Sequence, residues 1–305
     1  MLAFFSNPHL QSHGRLSGIS RNRLTPLGKF SGHLSGYEFS LPSFLTKFIA
    51  MNPEHFDLHA DMESRHWWFV ARRRIIYGLV RAVLAPGERR VVVDYGCGTG
   101  ANVAVMVPAY DAIGLDVADD ALAHARNRFP SCVFEKTGEI ERENPHLSNA
   151  DLVLLLDVIE HVDDDKAFMD TLIGRLKPGA KILVTVPAKM SLWGPQDEAV
   201  GHRRRYEKQS LLDAFAGSAA RVRMISYLNA RLFPIILCVR AGGRLFGRAY
   251  GSSGTDFRMP SNLVNRLLTA VFAGESRVLL GLIEGRRKHG FSVGASLIAV
   301  LEKSG

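Results

Sequence analysis

The chain predicts a doubly wound α/β fold: a mostly parallel sheet with helices on both faces and a helical insertion before its last strand. Three observations carry this. Strand-like and helix-like stretches alternate from residue 91 to 187, as expected of parallel strands joined by crossover helices. The β-branched run Val91-Val92-Val93 leads through Asp94 and Tyr95 into a turn with glycine at every second position, Gly96, Gly98 and Gly100. Two further apolar runs end on acids, Asp116 and Asp157, and open α/β sheets bind ligands at those carboxyl ends.

Residues 1–50 are rich in Ser, Gly and His, lack periodicity, and hold five basic side chains against one acid, Glu38. They read as a disordered extension, with an organelle transit peptide or a start at Met51 as alternatives. The domain is expected over 51–305. A helix is predicted for 62–84, because Phe69, Arg72, Ile75, Ile76, Leu79, Val80 and Val83 recur at helical spacing. Then follow strand 91–95, helix 101–108, strand 112–116, helix 118–129, strand 132–135, strand 151–156, helix 164–176 and strand 181–187. Lys177-Pro178-Gly179 punctuates the last helix. Helix 207–216 precedes strand 221–227, and the final strand is expected at 295–301. About 65 residues separate these last two strands, and they hold two apolar helical stretches near 230–247 and 261–284. A connection that long has its own structure or a function, so 228–293 reads as a helical insertion serving as substrate lid, dimer contact or membrane-surface patch.

Glycine tolerates positive φ and lets a ligand approach the backbone closely. The spacing here is G-x-G-x-G, with Ala101 after the third glycine, so the dinucleotide fingerprint G-x-G-x-x-G that cradles a pyrophosphate is shifted. A nucleoside cofactor without phosphates fits better. Asp116 lies 22 residues beyond Asp94, where an acid meets ribose hydroxyls. On Val93-Asp94-Tyr95-Gly96-Cys97-Gly98-Thr99-Gly100 the chain resembles class I S-adenosylmethionine-dependent methyltransferases, over about residues 54 to 302. The resemblance implies a Rossmann-like seven-stranded sheet with an antiparallel last strand, and S-adenosylmethionine as cofactor. It places the turn of Gly96, Gly98 and Gly100 on the methionine part, Asp116 on the ribose and Glu139 near the adenine, with Asp94 and Val117 also binding the cofactor. It also sets Asp157 and Val158 beside the cofactor, and gives an arginine before the first strand, Arg73 by preference, to the methionine carboxylate.

The segment Asp151 to Val162 is a buried strand ending in polar groups. His161 reads as a general base, because an imidazole titrates near neutral pH, or as a helix-capping histidine. Asp157, Glu160 and His161 resemble the Glu-x-x-Glu-His of ubiquinone-pathway O-methyltransferases, some of which use a divalent metal, but Asp replaces the first Glu and no metal is expected. The amino-directed nucleic-acid enzymes carry an Asn/Asp-Pro-Pro-aromatic turn at this place, which is missing. Two motifs, Glu63 to Phe69 and Gly201-His202-Arg203-Arg204-Arg205-Tyr206, are similar to those of a bacterial methyltransferase subgroup. His202 is the second candidate base, while Arg205 and Tyr206 are read as binding an acidic substrate or shaping a lid.

Net charge is +8, but after the extension the other 255 residues carry only +4, which weakens a nucleic-acid reading. Three scattered cysteines, Cys97, Cys132 and Cys238, show neither zinc spacing nor a disulfide framework, so a reducing cytoplasm is the default. The expected activity is methyl transfer to an oxygen of a small or lipid-like acceptor, with peripheral membrane contact through 228–293 open. The alternatives are a protein or RNA methyltransferase, a nicotinamide-dependent oxidoreductase and a catalytically silent binding module.

Overall fold

The computed structural model describes residues 61–87, 89–138, 140, 144–245 and 259–305. The extension 1–50, Glu139 and part of the insertion lie outside these residues.

The elements run α1 (Trp67–Val83), β1 (Val91–Tyr95), α2 (Ala101–Met106), β2 (Asp111–Asp116), α3 (Asp119–Arg128), β3 (Val133–Lys136), α4 (Pro145–Asn149), β4 (Leu152–Leu156), α5 (Asp165–Arg175) and β5 (Lys181–Pro187). Then come α6 (Pro195–Ala199), α7 (Lys208–Asp213), β6 (Ala220–Leu228), α8 (Phe233–Leu245), α9 (Asn262–Ala273), α10 (Ser276–Ile283) and β7 (Ser296–Lys303). The strands form one sheet of order β3-β2-β1-β4-β5-β7-β6. Only β7 is reversed, pairing antiparallel with both β5 and β6. The chain winds outward from β1 to β3, then crosses back to β4, so the topological switch point lies between the carboxyl ends of β1 and β4.

Alternation along the strands supplies two cores. Val93, Val153, Leu155, Ile182 and Val184 face α5, where they meet Met169, Leu172 and Ile173. Val92, Leu152, Leu154, Leu183 and Val300 face the other way, toward Ile75, Ile76, Leu79 and Val80 of α1. A sheet covered on both faces explains why the strands read as continuous apolar runs.

Two helices depart from their expected limits. The 62–84 pattern is interrupted at His66, whose ring accepts from the Trp68 amide at 3.3 Å and caps α1. The 261–284 pattern breaks at Gly274-Glu275 into α9 and α10. There the Arg231 guanidinium packs so close that a Cβ on Gly274 would lie 2.6 Å from its Nη1, and the buried Glu275 carboxylate accepts from the Arg231 amide at 2.8 Å. Both α9 and α10 pack on α1. The insertion is therefore docked beside the helix that precedes the glycine turn, with Trp67 edge-on to Phe272.

Candidate functional site

The three glycines of the turn have positive φ, at 79°, 52° and 85°. Each has its own reason. A Cβ on Gly96 would lie 2.7 Å from Cγ2 of Val158, and one on Gly100 would lie 2.6 Å from the Phe134 ring. A Cβ on Gly98 would meet nothing within 4 Å, so this residue exposes bare backbone to the space above the strand ends. The amides of Gly96 and Cys97 donate to the Leu115 carbonyl at 2.7 and 3.0 Å, tying the turn to the end of β2.

Asp116 ends β2, 8% exposed. Its carboxylate accepts from the amides of Gly98 at 2.8 Å and Ala118 at 2.9 Å. Burial raises its pKa, and the surrounding amides oppose that rise. Val117 follows, half-buried. Asp94 is buried, and among the described residues no hydrogen bond of ordinary geometry reaches either carboxylate oxygen, although the Asn102 side chain lies near enough to lower its pKa slightly. Burial pushes its pKa up to about 7, the Arg72 guanidinium opposing and the Asp116 and Glu63 charges adding to the rise.

An orphaned acid beside a glycine cradle is a site built for a donor from elsewhere. The residues therefore fit a ligand carrying an ammonium group and a ribose. A consequence is testable without any ligand. The native acid keeps its proton up to about pH 7, whereas the unfolded acid loses it near pH 4, so unfolding releases a proton between these limits. Stability of the unliganded protein falls as pH rises through that window. Asp94→Asn removes this penalty and raises unliganded stability at pH 8 by on the order of 2 kcal/mol, with little gain near pH 4. Urea denaturation at the two pH values checks it, and a gain independent of pH contradicts it.

Asp157 follows β4 with φ of 61°, a left-handed conformation that is strained for a non-glycine residue. It is held by Arg72 at 2.8 Å and by the Thr185 hydroxyl, which donates at 3.2 Å. Arg72 also donates to Thr185 and lies under the Trp68 ring, 4.9 Å from its centroid. Arg73 takes another direction. It donates to the Glu63 carbonyl at 2.7 Å and forms no ion pair among the described residues; burial lowers its pKa below the ordinary arginine value. Glu63 in turn receives the Thr99 hydroxyl and Arg128, both at 2.6 Å, bracing the segment before α1 against the glycine turn.

Beyond Val158, the His161 and His202 rings stand 4.8 Å apart, centroid to centroid. Burial, with the charges of His202 and Arg203, lowers His161 to about 4, so it is neutral at physiological pH. His202 Nδ1 bonds the Asp197 carboxylate at 2.8 Å, which leaves Nε2 facing inward, 3.8 Å from Glu160. Asp197 also binds Arg205 through both oxygens and accepts from the Gly194 amide. Its pKa falls to about 2: His202 and Arg205 outweigh the raising effect of burial. Glu160 is fully buried with no hydrogen bond to either oxygen, and burial raises its pKa well above the carboxylate range. Glu160, His161 and His202 bring one potential ligand atom each to within 4.8 Å of one another; Asp157, paired with Arg72, is not among them.

The structure thus gathers the glycine turn, Asp94, Asp116, Asp157, Val158 and both histidines around the carboxyl ends of β1, β2 and β4. Glu139 lies outside the described residues. The 203–206 run is not a substrate clamp. Arg203 and Arg204 pair with Asp163 and Asp165, Arg205 with Asp197, and the Tyr206 hydroxyl donates to Asp165 at 2.6 Å with the ring 2% exposed. Three roles were not assigned from the sequence: Arg72 rather than a neighbour on Asp157, Asp197 on His202, and full burial of Glu160, which the sequence offered only as a metal ligand. Arg72 had a visible signal, a charge on the apolar stripe of α1, but Asp197 and the buried role of Glu160 depend on contacts between distant segments.

Sheet order, glycine turn and acid-ended β2 together define a class I S-adenosylmethionine-dependent methyltransferase. The chain belongs to the methyltransferase domain family, whose profile matches residues 65–231. It is 29% identical over 131 residues to a probable S-adenosylmethionine-dependent methyltransferase of Mycolicibacterium smegmatis, covering 43% of this chain and 49% of that protein. With the trans-aconitate 2-methyltransferase of Methylobacterium nodulans it shares 30% identity over 156 residues, 49% of this chain and 56% of the other. With phosphoethanolamine N-methyltransferase 3 of Arabidopsis thaliana it shares 32% over 108 residues, 33% of this chain and 21% of the other. The chain spans about half the length of the first two relatives. Among solved structures, the methyltransferase in complex with the Trm112 methyltransferase activator of Haloferax volcanii is similar in fold, with a TM-score of 0.53 at 15% identity over 86% of this chain and 98% of that one.

Proposed function

We propose that this chain transfers a methyl group from S-adenosylmethionine to an oxygen of a small or lipid-like acceptor, with His202 as the base. The observation that carries the proposal is the His202–Asp197 pair at 2.8 Å, placed beyond Val158 at the end of β4. S-adenosylmethionine, when bound, supplies a methyl group already activated by its sulfonium charge. The chain then has to orient the partners, exclude water and take up a proton.

Asp116 and Val117 are assigned to the ribose, Asp94 and Gly98 to the methionine amine and backbone approach, and Arg73 to the methionine carboxylate. Arg72 is already committed to Asp157 and Thr185, whereas Arg73 keeps an ion pair in reserve. Asp197 fixes the His202 tautomer with the proton on Nδ1, so Nε2 can accept the acceptor hydroxyl's proton, and the low pKa of Asp197 keeps it ionised to stabilise the imidazolium that forms. His161 provides a neutral wall beside it and is the weaker base, its pKa lying far below neutrality.

Small acceptors also fit the names of two relatives, trans-aconitate and phosphoethanolamine methyltransferases. Residues 51–305 are taken as one methyltransferase domain, with 228–293 as its lid, and the free cysteines fit a cytoplasmic setting. The test is transfer of labelled methyl from S-adenosylmethionine into fractionated cell extract. Label is expected in a small-molecule or lipid fraction, stable as an ether or ester; label recovered only in protein or RNA, or binding of NADH in place of S-adenosylmethionine, overturns the reading.

A further inference from the structure

The insertion between β6 and β7 presents an apolar surface to solvent, with a concentration of positive charge around it. On α8, every exposed side chain from 234 to 241 is apolar or a thiol: Pro234, Ile235, Leu237, Cys238, Val239 and Ala241. On α9, Leu263, Leu267 and Ala270 form an exposed stripe at positions i, i+4 and i+7, while Thr269 and Phe272 on another face are buried. Leu263 is 79% exposed, Leu267 61% and Ile235 59%. An ordinary surface helix turns its apolar stripe to the core and its polar face to water. Here α9 has an apolar face toward α1 and a second one facing outward. Exposed apolar patches of this kind mark interaction surfaces.

Charge selects the partner. Residues 228–293 contain ten Arg and Lys against three Asp and Glu, a net +7, whereas the rest of 51–305 contains 23 against 26, a net −3. The domain's mild overall basicity thus hides a strongly basic insertion on a slightly acidic body. Arg266 sits between Leu263 and Leu267 on the exposed face of α9, and Arg231, Arg277, Arg286, Arg287 and Lys288 are exposed around the insertion. A second copy docking through the same face would bring like charges together, Arg231, Arg266 and Arg277 being exposed on each. Nucleic acid would match the charge but would leave the leucines without apolar contact. A surface with anionic head groups over acyl chains satisfies both features.

We infer that α8 and α9 form a docking face for an anionic lipid bilayer, lying in its interface rather than crossing it. No helix among the described residues is long and apolar enough to span a membrane. The inference does not depend on which atom the enzyme methylates. Docking would set the cofactor site beside the membrane surface, because α9 and α10 pack directly on α1.

Co-sedimentation of the full chain with vesicles tests it. Binding to phosphatidylcholine vesicles containing phosphatidylglycerol is expected to exceed binding to pure phosphatidylcholine by on the order of tenfold and to weaken with added salt. L263D/L267D, two exposed substitutions, is expected to lose roughly tenfold of that binding with an unchanged melting temperature. A measurement on the unaltered face covers the case in which the variant misfolds. An environment-sensitive fluorophore on Cys238, in a C132S background, should shift to the blue with anionic vesicles. Equal binding to both vesicle types, no binding, an unshifted probe, or full binding by a folded L263D/L267D overturns the inference. So does a dimer in light scattering that L263D/L267D dissociates, since the face would then be covered by a second copy.

Discussion

Asp116→Ala lowers the affinity for S-adenosylmethionine by about 10²–10³-fold in titration calorimetry. The acid is the end of a strand, nearly buried, with each oxygen already steadied by one backbone amide. On the proposed assignment its remaining lone pairs accept from the two ribose hydroxyls, and each charge-assisted bond contributes about 1.5–3 kcal/mol. The substitution also frees the Gly98 amide, so the turn loses its register as the ribose loses its acceptor. Asp116→Asn separates the two effects: it preserves the shape but halves the acceptor capacity, and it should fall between wild type and alanine. Wild-type affinity in Asp116→Ala would place the ribose elsewhere.

The second large effect is on turnover. His202→Ala should reduce kcat by roughly 10²–10³-fold while leaving the dissociation constant for S-adenosylmethionine within a factor of about two. On the proposed assignment the imidazole faces the methyl acceptor, so its loss removes a proton acceptor without touching the ribose or methionine contacts. Asp197→Asn should act on the same step by a different route, because an amide cannot stabilise an imidazolium as a carboxylate does. Its kcat falls less than that of His202→Ala. Asp197 also anchors Arg205 and Gly194, so a melting curve of the variant distinguishes a local loop failure from loss of the base. If His202→Ala keeps wild-type turnover on the identified acceptor, His202 is not the base, and the weakly basic His161 becomes the remaining candidate of the pair.

Much of this was legible before any coordinates. The β-branched strand, the alternate glycines and the acid of β2 lie within 26 residues of chain, Val91 to Asp116, and each is a local pattern. A period of two or 3.6 and a glycine at a positive-φ position depend on near neighbours, so they survive without tertiary information. The insertion was legible for the same reason, as a long helical interval between two strand patterns, whereas the antiparallel last strand followed only from the family resemblance.

The choice between Arg72 and Arg73 was different. Adjacent residues of a helix point about 100° apart, and a one-residue change in the facing register exchanges their roles. Only the packing of α1 on the sheet sends Arg72 to Asp157 and Thr185 and Arg73 to the Glu63 carbonyl. The arginines at 203–205, which sequence alone presents as a clamp for an anion, are each neutralised by a carboxylate from another part of the chain. Asp197 and His202 meet because a short helix, α6, turns back on the loop after β5.

Sequence alone therefore determined the sheet, the glycine cradle and the acid at the ribose position, because these are written in spacing along a few residues of backbone. Tertiary structure alone decided which histidine is oriented by a carboxylate, which arginine pairs with Asp157, and which face of the insertion stays exposed. Those depend on which distant side chains share a buried space, where one ion pair or one covered stripe changes what a residue can do.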